Sequence, residues 1–194
     1  MARPIEFDRQ QALEQAMELF WQQGYRATSV NDLVNLTGMQ PGSLYAAFKS
    51  KKHLFMMVLQ SYAEAWLGGA QQIFEDHHYS IEGIRQLFDS TVELVLSDEQ
   101  HKGCLMVNTM QEMVNSDDDV RQFVTKAFAD YEALFLKVLE NAKAKGELRS
   151  QRNVQSLAAY LMSSICGIAS MCPSCPDREK LTGIVYTTLS ALEH

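Results

Sequence analysis

The chain has 194 residues, 46% of them apolar, with a formal net charge of −7, enough for one large core or for a small domain packed on a bigger one. No positively charged stretch followed by an apolar run stands at Met1, and no run of about eighteen apolar residues occurs; secretion and membrane insertion are therefore not indicated, and the expected compartment is the cytoplasm. Four cysteines (Cys104, Cys166, Cys172, Cys175) are too few for a disulfide scaffold and are expected as thiols.

Helical periodicity dominates, with no strand alternation longer than a few residues and no internal repeat, so the expected class is all-α. Asp8 and Gln11 have capping-box spacing, and Leu13, Ala16, Met17 and Phe20 follow on one helical face until Gly24. A second helix starts at Ser29, with Asp32 three residues on, carries Leu33, Val34 and Leu36, and stops at Gly38. A third starts near Gln40, because Pro41 is tolerated at the first helical position, and runs to Phe48. Longer helices are expected at about 51–75, 81–97, 104–114, 118–145, 153–171 and 177–190, with Ser80 and the Ser116/Asp119 pair as starts and Gly146 as a stop. Asp117, Asp118 and Asp119 read as first-turn acids favoured by the helix dipole, and no metal site is expected.

Three short helices in under fifty residues, the last two joined by a glycine turn, form a helix-turn-helix pattern. Charge divides along the same line: residues 1–60 hold six Lys/Arg against five Asp/Glu, and residues 61–194 hold eleven against nineteen. A slightly basic head on an acidic body suits a protein that docks one end on an anionic partner. A recognition helix enters the major groove by its amino end, which favours short or polar residues there, and Gln40, Gly42 and Ser43 meet that need. Tyr45, Lys49, Lys51 and Lys52 are placed to hold phosphates, as are Thr28 and Ser29 at the preceding helix start. Taken singly, Tyr45 also fits an interior aromatic and the lysines a solvated face. Arg3, on a short terminal arm, reads either as a minor-groove contact or as part of a disordered terminus.

The stretch FDRQQALEQAMELFWQQGYRATSVNDLVNLTGMQPGSLYAAFKSKKHLF resembles the amino-terminal signature of the TetR/AcrR family of bacterial transcriptional regulators over roughly residues 5–60. The shared features are the Gly24-Tyr25 pair, the Thr28-Ser29 start, Gly42 to Phe48 as G-[ST]-L-Y-x-x-F, and Ser50-Lys51. The resemblance implies a homodimer whose heads bind a pseudo-palindromic operator, usually to repress, and whose body binds a small molecule that releases the DNA. By position it implies phosphate contacts at Thr28, Ser29, Tyr45 and Lys51, and groove contacts at Gln40, Pro41, Ser43 and Ala47. Pro41 and Ala46 stand where family members often have long polar side chains, so Gln40 is expected to dominate direct readout. The expected organisation is a DNA-binding head at 1–50 and an effector-binding and dimerisation body at 51–191. Leu192-Glu193-His194 reads as a tag remnant.

Beyond residue 60 the sequence speaks less specifically. Dimerisation is expected through the helices at about 153–171 and 177–190, on a face carrying Leu157, Ala158, Leu161, Ser164, Ile165, Ile168 and Ala169, then Leu181, Ile184, Val185, Thr188 and Leu189. Trp66, Phe88, Met106, Asn108, Met110, Met113, Phe128 and Tyr131 are candidate walls of a small-molecule pocket, with plain core as the competing reading of each. Cys104 follows Gly103 at a helix start, near His101 and Lys102. It reads either as a redox or electrophile sensor with a lowered pKa or as a buried packing thiol. A rival function from another class is a helical redox, electrophile-sensing or metal-binding protein acting through Cys104 and the Cys172/Cys175 pair. No nucleophile, base and orienter form a set, so an enzyme is not expected, and no cofactor is implied.

Overall fold

A computed structural model describes residues 5–148, 151, 153–171 and 177–193. Among them the chain forms α1 (Ile5–Gln23), α2 (Val30–Thr37), α3 (Pro41–Phe48), α4 (Lys51–Asp76), α5 (Ile81–Ser97), α6 (Leu105–Met113), α7 (Asp118–Ala144), α8 (Val154–Met171) and α9 (Arg178–Glu193), with no strand. The all-α reading is thus the observed class. Boundaries shift where local chemistry was misread. α1 begins at Ile5, so Asp8 lies inside the helix and does not cap it. The cap of α7 is Asp117, whose carboxylate accepts the N–H groups of Asp119 and Val120, where Ser116 had been expected. Ser80 occupies the N-cap position of α5 without making the capping bond, its hydroxyl donating instead to the His77 carbonyl.

α4 links the two ends of the molecule: 26 residues long, it reaches about 39 Å at 1.5 Å per residue. It packs against α1, α3, α5, α6 and α7. The apolar interior forms two clusters. One joins Phe20, Leu33, Leu44 and Phe48 of the first three helices to Phe55 and Val58 of α4, Leu105 and Met106 of α6, and Val120 and Val124 of α7. The other fills the body around Phe74, Phe88, Tyr131, Phe135, Leu161 and Leu181. The interior of the head therefore continues into α6 and α7. Leu192 is 3% exposed and belongs to the body core.

Candidate DNA-reading helix and body cavity

The α2–α3 unit is built by local rules. Ser29 accepts the Asp32 N–H at 3.1 Å, while Asp32 accepts the Ser29 N–H at 2.8 Å, a reciprocal capping box. That hydrogen bond holds the Asp32 carboxyl below its ordinary pKa. Gly38 ends α2 at φ 66, and its N–H returns to the Val34 carbonyl. α3 then opens without a side-chain cap: Gln40 holds the N-cap position, Pro41 brings no N–H, and the amides of Gly42 and Ser43 fall among the unpaired donors of a first turn. Gln40, Pro41, Gly42 and Ser43 are all exposed, Tyr45 is 48% exposed, Lys49 is exposed and Ala47 is half-buried. Leu44 and Phe48 are buried and fix the helix to the head.

Three of the expected phosphate contacts, Thr28, Lys51 and Lys52, are engaged elsewhere. Thr28 is fully buried, and its hydroxyl donates to the Gly24 carbonyl at 2.7 Å, closing the end of α1. Lys51 turns inward: its ammonium donates to the carbonyls of Tyr25 and Thr28, both at 2.8 Å, and lies 4.1 Å from the centre of the Tyr25 ring. Lys52 bridges Asp117 at 2.8 Å and Asp119 at 2.7 Å, which raises its pKa and lowers that of Asp117. The head's charge count therefore overstates the cations available to DNA. Arg3 lies outside the described residues.

A cavity of about 620 Å³ opens in the body, lined among others by Trp21 of α1, Tyr62, Trp66 and Ile73 of α4, Leu87 and Thr91 of α5, Cys104 and Val107 at α6, Tyr131 of α7, and Ile165 and Cys166 of α8. Trp66 stacks on Tyr131 at 3.9 Å between ring centres, and Trp21 meets Tyr62 edge-on at 5.1 Å. Of the candidate wall residues, Trp66 and Tyr131 line this space. Phe88, Met106 and Met113 are buried core. Met110 is 39% exposed and away from the cavity, and Phe128 supports Trp66 from behind. Asn108 lines a smaller space beside α1 and donates to the Lys102 carbonyl at 2.7 Å. Sequence reading missed Trp21 because a head residue was not sought in a body wall; its signal is an indole one residue beyond Phe20, turned off the buried face.

Comparison with known proteins decides the family. Residues 12–57 match the family described as bacterial regulatory proteins, tetR family, and residues 80–184 match the tetracyclin repressor-like C-terminal domain. The HTH-type transcriptional repressor ComR of Escherichia coli is 32% identical over 188 residues, spanning 96% of this chain and 90% of that protein. The chain belongs to the TetR family. YezE of Bacillus subtilis, a further HTH-type regulator, is 29% identical over the full length of both chains. A solved structure of the TetR-family regulator CifR, a cysteine mutant in complex with a 26-base-pair operator duplex, matches with a TM-score of 0.86 and 30% identity, covering 97% of this chain and 99% of that one. As a TetR-family member the protein is a DNA-binding transcriptional regulator, and its relatives are regulators rather than enzymes.

Burial bears on two further readings of this TetR-family chain. Cys104 does stand at a helix start, the N-cap of α6, but its thiol is buried. Burial pushes its pKa up, against the lowering effect of the Tyr62 hydroxyl, which donates to the sulfur at 3.5 Å, and of the amides of Val107 and Met106. Lys102 pairs with Glu18, not with the thiol. Cys166, also lining the cavity, is pushed up to about 12 by burial. Cys172 and Cys175 lie outside the described residues. In α8 and α9, Leu157, Ala158, Leu161, Ile165, Leu181, Val185 and Leu189 of the expected dimer face fill the chain's own core, while Ser164, Ile168, Ile184 and Thr188 of that face border an open groove. The groove runs along Tyr160, Ser164, Gly167, Gly183 and Thr187, with Tyr186 74% exposed nearby. α8 is long and apolar enough to cross a membrane by length and composition alone, with mean hydropathy 1.3; Val154, Leu157, Ala158, Leu161, Met162, Ile165 and Ile168 are buried in the body core.

Proposed function

We propose that this regulator is a homodimeric repressor whose two α3 helices read a pseudo-palindromic operator, released when a largely apolar, uncharged small molecule occupies the body cavity. The observation that carries the reading is the open amino end of α3, where Gln40 to Ser43 are exposed and no side chain caps the helix. In this assignment Gln40 reads a base edge, Pro41 and Ala47 make apolar contacts in the groove, and Gly42 allows close approach. Ser43 stands with them at the groove, Ser29, Tyr45 and Lys49 hold the sugar-phosphate backbone, and Arg3 reaches a minor groove. Residues 1–50 then act as the head and the remainder as the body, working in the cytoplasm. The names of relatives such as ComR, and the operator bound to CifR, support this assignment.

The cavity supports the effector half. Its volume falls in the usual range for small-molecule sites, roughly 300–1,000 Å³, and aromatic and aliphatic side chains make most of its wall. Lys102 is paired with Glu18, and Asp98 accepts the N–H groups of Lys102 and Gly103. The open faces of α8 and α9 support self-association as a four-helix bundle. Ligand entry is then proposed to shift α4 and alter the separation of the two heads from the roughly 34–36 Å between successive groove faces.

Gln40→Ala is expected to relax specificity at one operator position by about 1–3 kcal/mol. Gel shifts against an operator selected from random duplexes, and against its single-base variants, read this directly. Equal losses on every variant would remove Gln40 from base readout. The rival reading through Cys104 and the Cys172/Cys175 pair has less support, because burial raises the Cys104 pKa. Iodoacetamide at neutral pH is expected to label Cys104 more slowly than a free cysteine in solution. Faster labelling would restore the sensor.

A further inference from the structure

We propose that Glu112 is the positioning residue through which the body fixes the orientation of the DNA-binding head, a role that rests on the ligand-responsive reading above. Glu112 lies in the last turn of α6, and its carboxylate accepts the backbone N–H groups of Tyr25 and Arg26 at 2.9 and 2.7 Å. Those two amides belong to the turn between α1 and α2, 87 and 86 residues away in sequence. No lysine, arginine or histidine among the described residues forms an ion pair with Glu112, so the two charge-assisted bonds to the turn are its main engagement.

Gly24 shows how closely the carboxylate is seated. It holds φ +81, and a Cβ at that position would stand 2.9 Å from Glu112 Oε2. The glycine that ends α1 is thus also the opening through which an α6 side chain reaches the head. The same turn is gripped from the other side, since Lys51 of α4 takes the Tyr25 and Thr28 carbonyls. The peptide groups of Tyr25 are therefore held by an acid from α6 and a base from α4.

The other end of α6 stands at the large cavity. Cys104 and Val107 line it, the Trp21 indole N–H donates to the Gly103 carbonyl at 2.9 Å, and α6 itself spans only about 14 Å at 1.5 Å per residue. Beside Glu112 lies a space of about 220 Å³, also lined by Trp21, Asn108 and Thr109. The Thr109 hydroxyl is buried there without a partner, in a residue 1% exposed. This side of α6 is not close-packed against α1, so the helix has room to shift when the cavity fills. A shift at Cys104 is carried along a single rigid helix to Glu112, and from there to the turn that leads into α2.

Glu112→Gln in the full-length chain, followed by residue-resolved hydrogen exchange, tests the proposal. Exchange at Tyr25 and Arg26 is expected to speed up by about tenfold or more, as loss of a hydrogen bond to a charged acceptor implies. Body amides that open locally should stay as in the parent, and the melting temperature should fall by only a few degrees. Spin labels on unnatural amino acids at Asn35 in the head and Glu140 in the body should report a broader distance distribution. Ser116→Ala, which removes the Arg26 guanidinium's 2.8 Å partner and a hydroxyl bond to the Met113 carbonyl at 3.1 Å, should leave the two amides protected. Unchanged exchange and unchanged distances in Glu112→Gln would overturn the proposal. So would exchange that speeds up equally among the locally opening amides of α5, α7 and α8, because Glu112 would then be a general stability element. Neither measurement uses an operator or an effector, so failure here is distinguishable from failure of the repressor reading, which the gel shifts test.

Discussion

Phe20→Ala is expected to destabilise the entire chain by about 3–5 kcal/mol, the range for emptying a buried aromatic site. Phe20 is 1% exposed and meets Phe55 edge-on at 5.0 Å and Tyr25 at 6.1 Å. It belongs to the apolar cluster that runs without a break from α1 into α6 and α7. If that cluster is one cooperative unit, the loss appears in head and body together. The chain's two tryptophans make the test selective: Trp21 lies in α1 and Trp66 in the body half of α4. Urea unfolding of the parent at fixed protein concentration, with one tryptophan at a time replaced by phenylalanine, should give coincident midpoints for the two probes. Phe20→Ala should move both down together. A midpoint shift confined to the Trp21 probe would mean that the head melts alone and that its core ends at α4.

Lys51→Met is expected to cost about 2 kcal/mol, from two charge-assisted bonds to carbonyls and a cation–π contact at a half-exposed site. Operator affinity should fall with it, because the turn loses its α4 anchor. A lysine that contacts phosphate makes a different prediction. Its removal would lower the slope of log affinity against log salt by about 0.9, with little change in stability. Melting curves and salt titrations of Lys51→Met and Lys49→Ala separate the two roles. Lys51→Met should lose stability and keep the slope. Lys49→Ala, which removes an exposed lysine at the carboxyl end of α3, should keep stability and lose about one unit of slope. The reverse pattern would return Lys51 to the DNA.

The correction at Lys51 illustrates why charged residues were read less well than apolar ones. Capping boxes, glycine stops and helical periodicity are local: Ser29 with Asp32, Gly38 and Pro41 fix α2 and α3 through interactions within a few residues. An ammonium on a four-carbon stem can face solvent or fold inward, and which it does depends on groups 23 and 26 residues away. The same holds for Thr28, whose hydroxyl found a carbonyl four residues back in the interior. Pocket residues were harder again. Met106, Met113 and Phe88 have the right chemistry for an adaptable wall, yet they point into the packed core, while Trp21 of the head faces the cavity.

By itself the sequence determined the all-α class, the succession of helices, the helix-turn-helix head and the family, because each depends on short-range patterns of apolar spacing, caps and turn residues. Tertiary structure alone decided which cations remain available to DNA, which face of α8 and α9 stays open, where the cavity lies, and that Glu112 holds the turn of the head. Those outcomes depend on residues that meet only once the helices have packed, when the distance between them is set by the fold and no longer by the chain.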